Sequence, residues 1–223
     1  FRDQKVLSSS SLKDMIDKIA KIPLLYQPGT KWSYSVAVDI QGYIIEKLTG
    51  QRLGDFMAER IFKPLGMKDT GFYTPPADGA RLSEVYVSNP KTGKLLELTS
   101  LLFPSLQDFT KQPPMDSGGG GAVSTIDDYA RFCQMILNNG EFNGVRILAP
   151  ASIALMRSNQ VAPGVTSNAE SAGGVVIGGD ALGFGLDFAV VLDSAKLGTL
   201  QGNGSIWWGG AADGYVAAEA DGL

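Results

Sequence analysis

The sequence predicts an α+β protein built as a single domain. Helical spacing of apolar residues runs through most of the first two thirds of the chain, whereas strand-like runs and glycine-rich loops occupy the last third. The chain has 223 residues and a hydrophobic fraction of 44%, enough for one good core but short for two independent domains. No internal repeat or long linker divides it, so we expect one domain or part of one.

Apolar residues recur at helical spacing in several segments, and breakers or caps bound most of them. Pro23 ends the first predicted helix, Gly50 ends the second, and Ser124 or Thr125 caps the fourth. In the second helix, we expect the buried face to carry Val36, Ile40, Tyr43, Ile44 and Leu48. The predicted helices cover residues 11–22, 36–49, 53–62, 126–137 and 150–158.

Strand signals are short and lie mainly toward the end of the chain. Residues 72–99 contain short strand-like runs around a polar turn at residues 89–93, and residues 184–192 have the pattern of one longer strand. Residues 207–212 and 215–218 are predicted to form a further strand or a pair. Because a sheet of the C-terminal strands alone would have exposed edges and little covering structure, we expect the sheet to be incomplete.

The composition excludes several classes of function. The chain has no histidine, which removes Ser-His-Asp catalysis, Cys-His catalysis and His-based zinc sites from what these residues can do alone. With 19 basic and 23 acidic residues and no long basic run, nucleic acid is not an expected partner. No stretch is long and apolar enough to be a membrane-spanning segment. The lone Cys133 lies among apolar neighbours in a helical pattern and is interpreted as core filler.

Five runs of residues, which follow one another along almost the whole chain, carry a resemblance to a known family. The sequence resembles the serine β-lactamase-related and penicillin-binding-protein-like hydrolases, of the class C β-lactamase and family VIII carboxylesterase type. The runs are QPGTKWSYSV at residues 27–36, IFKPLGMKDT at 61–70, GGGAVST at 119–125, GFGL at 183–186 and WGGA at 208–211.

The resemblance implies a β-lactamase/DD-peptidase-like fold of the α/β sandwich type, in which an antiparallel sheet is flanked by helices and accompanied by a mainly helical lobe. Residues 1–145 would belong to the helical lobe with the tyrosine motif, and residues 146–223 to part of the sheet lobe with the Trp-Gly-Gly motif. On this interpretation the domain is truncated at both ends. The family's first strands and nucleophile motif would precede Phe1, and further strands and a terminal helix would follow Leu223.

The resemblance also implies where the catalytic base lies. Such enzymes use a Ser-x-x-Lys motif with the nucleophile, a Tyr-x-Asn or Tyr-Ser-x motif with the base, and Lys-Thr-Gly or a substitute on a sheet strand. Tyr34-Ser35-Val36 matches the second motif, so Tyr34 is the expected base, and Ser35 and Val36 are expected to border the substrate. A tyrosine relays a proton only when its ordinary pKa of about 10 is lowered by a nearby cation. In the family, the lysine of the first motif supplies that cation.

Trp208-Gly209-Gly210 fits the third motif, because it lies far beyond Tyr34 within a strand-like run. The resemblance implies that these three residues contact the substrate and that the N–H of Ala211 is one of two oxyanion donors. Tryptophan at the first position of this motif resembles the esterase branch of the family.

Two other motif matches lie too close to Tyr34 along the chain. Ser10-Ser11-Leu12-Lys13 spells Ser-x-x-Lys, but it stands in a serine run that caps a helix. Lys91-Thr92-Gly93 spells the third motif, but it lies in a polar hairpin turn. We therefore expect these residues to lack the nucleophile segment and to be inactive alone.

The glycine run at residues 117–121 is not followed by the Gly-Lys-Ser/Thr ending of a phosphate loop, so a nucleotide site is not expected. It is interpreted as a wall beside the active site or as a tight turn before the next helix. Together, these observations predict an esterase-like serine hydrolase that acts on a small-molecule ester or amide substrate through an acyl-serine intermediate, with no metal or organic cofactor. The alternatives are a non-catalytic penicillin-fold binding or regulatory protein, and a true β-lactamase or D-amino-acid peptidase.

Overall fold

The computed structural model describes residues 3–97, 108–167, 176–210 and 215–218. The α-helices in these ranges are α1 Leu12–Ile19, α2 Ala37–Thr49, α3 Leu53–Met57, α4 Lys63–Leu65, α5 Ile126–Leu137, α6 Pro150–Met156 and α7 Ser194–Leu197. The strands are β1 Tyr86–Ser88, β2 Leu95–Glu97, β3 Glu141–Phe142, β4 Val145–Arg146, β5 Leu182–Phe184, β6 Ala189–Val191, β7 Ile206–Gly209 and β8 Tyr215–Ala218. A π-helical stretch, Ala58–Phe62, joins α3 to α4. No helix in the described ranges combines the length and apolar character needed to cross a membrane.

The chain divides into two compact units. Unit one comprises Phe1–Ile22, Asp39–Phe56 and Asp69–Thr125, and unit two comprises Pro23–Val38, Met57–Lys68 and Ile126–Leu223. The two lobes that the resemblance assigns to residues 1–145 and 146–223 stay a prediction for the whole protein.

In unit one, helix α2 has the predicted bounds to within one residue. Its predicted buried face is confirmed only in part, since Val36, Ile40 and Tyr43 are half-buried. Ile44 and Leu48 are exposed, whereas Gly42 is buried. A Cβ atom on Gly42 would lie 2.8 Å from a methyl carbon of Leu53 and 3.5 Å from a methyl carbon of Leu12. The helix therefore packs through its glycine, because only a residue without a side chain lets these two leucines approach so closely.

The four-stranded sheet of unit two is antiparallel, with strand order β5-β6-β7-β8. The single strand predicted over residues 184–192 is wrong, because the chain turns back on itself between β5 and β6. Asp187 takes a positive φ of 65° in this turn, and the N–H of Gly185 donates to the carbonyl of Phe188 over 2.7 Å. Of the two arrangements predicted for the last strands, a further strand or a pair, the pair is confirmed, with Trp208 opposite Val216 and Gly209 opposite Tyr215. Residues 211 and 212 of the predicted strand lie outside the described residues.

Unit two builds its main core between the sheet and the helices. Val190 in the middle of β6 and Ile206 at the start of β7 pack with Met135 and Ile136 of α5 and with Ile153 of α6. All five side chains are almost completely buried. This core fixes the position of β7, the strand that carries the Trp-Gly-Gly motif.

Helix α5 has the bounds that the sequence predicts, and Cys133 lies on it. Burial raises the pKa of the Cys133 thiol above its ordinary value, which lowers the fraction of reactive thiolate at neutral pH. The neighbouring Tyr129 is more strongly affected, since burial raises the pKa of its phenol to about 12. These shifts support the interpretation of Cys133 as a packing residue rather than a nucleophile.

Candidate active site

The tyrosine motif and the Trp-Gly-Gly motif, far apart in sequence, meet within unit two. The ring centroids of Tyr34 and Trp208 are 5.4 Å apart, with a tilt of 45° between the ring planes. Tyr34 lies just before α2, and 52% of the residue is exposed. Trp208 lies on β7 and is half-buried. The phenol of Tyr34 is thus both accessible and adjacent to the strand that was predicted to hold the substrate.

Two further aromatic residues complete the group, and sequence reasoning did not assign either of them to the site. The ring centroid of Trp32 lies 6.4 Å from that of Tyr34, 4.9 Å from that of Phe184 and 6.1 Å from that of Trp208. Phe184 meets Trp208 edge-on at 5.4 Å. We call Trp32, Tyr34, Phe184 and Trp208 the aromatic cluster.

Two residues of the cluster, Trp32 and Phe184, are held by hydrogen bonds that their backbone N–H groups donate. The N–H of Trp32 donates to the carbonyl of Thr166 over 3.3 Å, and Trp32 and Ser167 form a parallel bridge. The N–H of Phe184 donates to Oδ1 of Asn159 over 3.1 Å. The N–H of Val161 donates to the same oxygen over 3.0 Å, so Asn159 ties β5 to the loop after α6.

The glycines near the cluster differ in what surrounds them. A Cβ atom on Gly185 would lie 1.9 Å from the carbonyl oxygen of Met156, so this glycine is required for close packing. No atom of the described residues lies within 4 Å of the position that a Cβ on Gly209 would take. A side chain at position 209 would therefore meet none of the described residues.

The remaining predicted site residues lie beside these two motifs or outside the described residues. Ser35 is exposed and Val36 is half-buried, and both immediately precede α2. Gly210 directly follows β7 and is exposed. Ala211, the predicted oxyanion donor, lies outside the described residues.

The Ser-x-x-Lys match at the start of α1 is engaged in surface hydrogen bonds. Oγ of Ser10 donates to the carboxylate of Asp14 over 3.3 Å, and Nζ of Lys13 donates to the carboxylate of Asp17 over 2.6 Å. The Asp17 carboxylate raises the pKa of the Lys13 ammonium, which disfavours the neutral amine that a general base requires. The helix is capped by Ser11, whose side chain accepts from the N–H of Asp14.

The β1–β2 hairpin contains the Lys-Thr-Gly match, as predicted. Gly93 closes the turn with a positive φ of 67°, and its N–H donates to the carbonyl of Asn89 over 2.8 Å. Sequence reasoning missed that Ser88-Asn89-Pro90-Lys91 also spells Ser-x-x-Lys. Ser88 and Lys91 are both exposed, so this second match lacks the enclosed setting that activates a serine.

In unit one, a carboxylate of the protein itself fills the anion position of the glycine loop. Asp39 is buried, and its Oδ1 accepts from Oγ of Ser117 over 2.5 Å and from the N–H of Gly119 over 3.4 Å. A phosphate would have to displace this carboxylate, so the loop is unsuited to nucleotide binding. Among the described residues, no group of three or more Cys, Asp or Glu side chains is placed to hold a metal ion.

Comparisons with known proteins agree on one family. A family model described as beta-lactamase matches residues 2–220. Protein Rv1367c of Mycobacterium tuberculosis is 34% identical over 197 residues, which cover 86% of this chain and 47% of that protein. Esterase EstB of Burkholderia gladioli is 28% identical over 215 residues, which cover 92% of this chain and 50% of that protein.

Solved structures give the same result for the fold. EstCE1, described as a hydrolase with promiscuous acyltransferase activity, superimposes with a TM-score of 0.71 and 27% sequence identity, covering 95% of this chain and 54% of that chain. The chain spans about half the length of the curated relatives it matches.

Proposed function

This chain belongs to the beta-lactamase family and has its mixed α/β fold, and we propose that its residues form part of a serine hydrolase that cleaves small-molecule esters. The observation that carries the proposal is the 5.4 Å contact between the rings of Tyr34 and Trp208. In this contact Tyr34, which is half-exposed, lies beside the strand that carries the Trp-Gly-Gly motif. Acyl transfer needs a positioned base and hydrogen-bond donors for the oxyanion, and these two motifs would supply one of each.

The chemistry needs a Ser-x-x-Lys segment in addition to these residues. Its serine Oγ forms a bond to the ester carbonyl carbon, while Tyr34 and the motif lysine take up the serine proton. The negative charge on the carbonyl oxygen is held by two N–H groups, one of them that of Ala211. The C–O bond to the alcohol then breaks, and the alcohol leaves with the proton. Water next attacks the acyl-serine ester in the same way and releases the acid.

The esterase assignment rests on the residue at the head of the third motif. Trp208 offers one neutral N–H donor and a large apolar face, so it cannot replace a lysine ammonium in binding a carboxylate. A simple ester carries no carboxylate and needs no such cation. The name of EstB, an esterase, supports the same choice.

A polypeptide of these 223 residues should not hydrolyse p-nitrophenyl acetate or nitrocefin above a buffer control. The reason is that Ser10 and Lys13 are each hydrogen-bonded to a different carboxylate and do not form an activated pair. The measurement is the absorbance of p-nitrophenol or of hydrolysed nitrocefin with time. The protein that the full reading frame encodes is measured in the same assay. Activity in the 223-residue polypeptide that disappears in Ser10→Ala would identify Ser10 as the nucleophile and overturn the prediction.

The same comparison separates the enzyme from the alternative of a binding or regulatory protein. If the full reading frame encodes a further Ser-x-x-Lys segment and its protein cleaves the ester, the result supports the hydrolase. If the reading frame encodes no such segment and its protein is inactive, the result supports the binding or regulatory protein.

Gly209→Ala should lower kcat/KM for p-nitrophenyl esters by about tenfold in the active hydrolase while leaving the free energy of unfolding nearly unchanged. The added methyl group meets no atom of the described residues, so a loss of activity would come from contact with a substrate that lies against β7. The matched control is Gly185→Ala, which should destabilise the fold because its Cβ would meet the Met156 carbonyl. Normal kcat/KM in a stably folded Gly209→Ala variant would show that the substrate lies elsewhere.

A further inference from the structure

We infer that Trp32 is a positioning residue, which holds the phenol of Tyr34 in place against Trp208; this inference rests on the proposed function. Trp32 touches every other ring of the aromatic cluster, including the two that carry the tyrosine and Trp-Gly-Gly motifs. Its ring is nearly parallel to that of Tyr34, with 13° between the planes. The two rings form an offset stack, in which Trp32 lies beside the ring of the proposed base.

The backbone of Trp32 is itself anchored, which a positioning role requires. Its N–H donates to Thr166, and its bridge partner Ser167 is buried. Ser167 in turn exchanges two hydrogen bonds of 2.8 Å with the backbone of Ile177, one through its N–H and one through its Oγ. The indole of Trp32 is thus attached to a fixed part of unit two.

Tyr34, by contrast, is half-exposed, and its ring contacts lie on the side of Trp32 and Trp208. Loss of the Trp32 ring would leave the phenol free to adopt other rotamers in solvent. A displacement of about 1 Å in a catalytic group is enough to lower a rate by roughly a hundredfold. The role of Trp32 is therefore exerted through Tyr34 and not through the substrate.

Kinetics of the active full-length hydrolase test this role. Trp32→Leu should lower kcat for p-nitrophenyl butyrate at least tenfold while changing KM less than threefold, and Trp32→Phe should restore most of kcat because a ring again supports Tyr34. Phe142→Leu is the matched control, since it removes a half-buried ring from the core of unit two, away from the cluster. It should leave kcat unchanged. Equal kcat in wild type and a folded Trp32→Leu variant would overturn the inference.

A spectroscopic measurement separates this inference from the proposed function. In protein labelled with 3-fluorotyrosine, the ¹⁹F resonance of Tyr34 is assigned by its absence in Tyr34→Phe. In Trp32→Leu this resonance should move to the position of a solvent-exposed tyrosine, while the other tyrosine resonances stay in place. If the wild type has no esterase activity but the resonance moves, the proposed function fails and the positioning role stands. If the Tyr34 resonance keeps its wild-type position in both Trp32→Phe and Trp32→Leu, the positioning role is wrong.

Discussion

Tyr34→Phe should lower kcat of the active hydrolase by about a hundredfold or more, the scale of a lost general base. The substitution removes one hydroxyl group and keeps the ring, so the contacts of residue 34 with Trp32 and Trp208 remain. Because half of Tyr34 is exposed, its hydroxyl group adds little to the stability of the fold. The measurement is kcat for p-nitrophenyl butyrate together with the free energy of unfolding in urea.

Tyr86→Phe is the matched control for this prediction. Tyr86 is 55% exposed, close to the 52% of Tyr34, but it lies on the β1–β2 hairpin of unit one. It should keep the kcat of the wild type. If Tyr34→Phe also keeps a normal kcat, then Tyr34 packs without transferring protons, and the base lies elsewhere.

The sequence predicted best those elements whose ends carry local signals. Helix α5 has the predicted bounds, because Thr125 is followed by two acidic residues at the helix start and the apolar spacing continues without a break to Leu137. The β1–β2 hairpin was likewise foreseeable from its Asn-Pro and Gly residues, which specify a turn whatever surrounds them.

Predictions that depended on tertiary packing were less successful. Apolar spacing assigned Ile44 and Leu48 to the buried face of α2, but the leucines of neighbouring helices pack against Gly42 instead. Glycine contributes nothing to an apolar pattern, so sequence periodicity does not reveal a face that packs through it. Similarly, the many apolar residues over 184–192 were interpreted as one strand, although Gly185 and Asp187 interrupt them where the chain turns and Asp187 adopts a positive φ.

In the candidate site, too, residues with a local sequence signal were predicted and residues placed by tertiary packing were not. The motifs placed Tyr34 and Trp208 in the site, and the two residues are neighbours in unit two. Trp32 could have been suspected, because residues two apart in an extended segment project to the same side. Phe184 offered no such signal, since its contact with Trp32 depends on how β5 pairs within the sheet and on the bond to Asn159.

The nature of residue 208 also leads to an expected preference for esters over penicillins. A lysine ammonium at this position can hold the carboxylate of a penicillin through a charge-assisted contact of about 1.5–3 kcal/mol. This corresponds to roughly ten- to hundredfold in affinity. The indole of Trp208 supplies no charge, and its ring occupies space beside Tyr34. The wild-type hydrolase should therefore have a higher kcat/KM for p-nitrophenyl esters than for benzylpenicillin.

Trp208→Lys should raise kcat/KM for benzylpenicillin relative to kcat/KM for the ester by roughly ten- to hundredfold. Residue 208 is half-buried, so a long lysine can extend its ammonium to solvent. Trp208→Met is the matched control, since methionine is unbranched and of similar reach but uncharged. It should lose the indole contacts without gaining penicillin hydrolysis. The measurement is kcat/KM for both substrates on all three proteins. A wild-type hydrolase that cleaves benzylpenicillin faster than the ester would show that the esterase assignment is wrong.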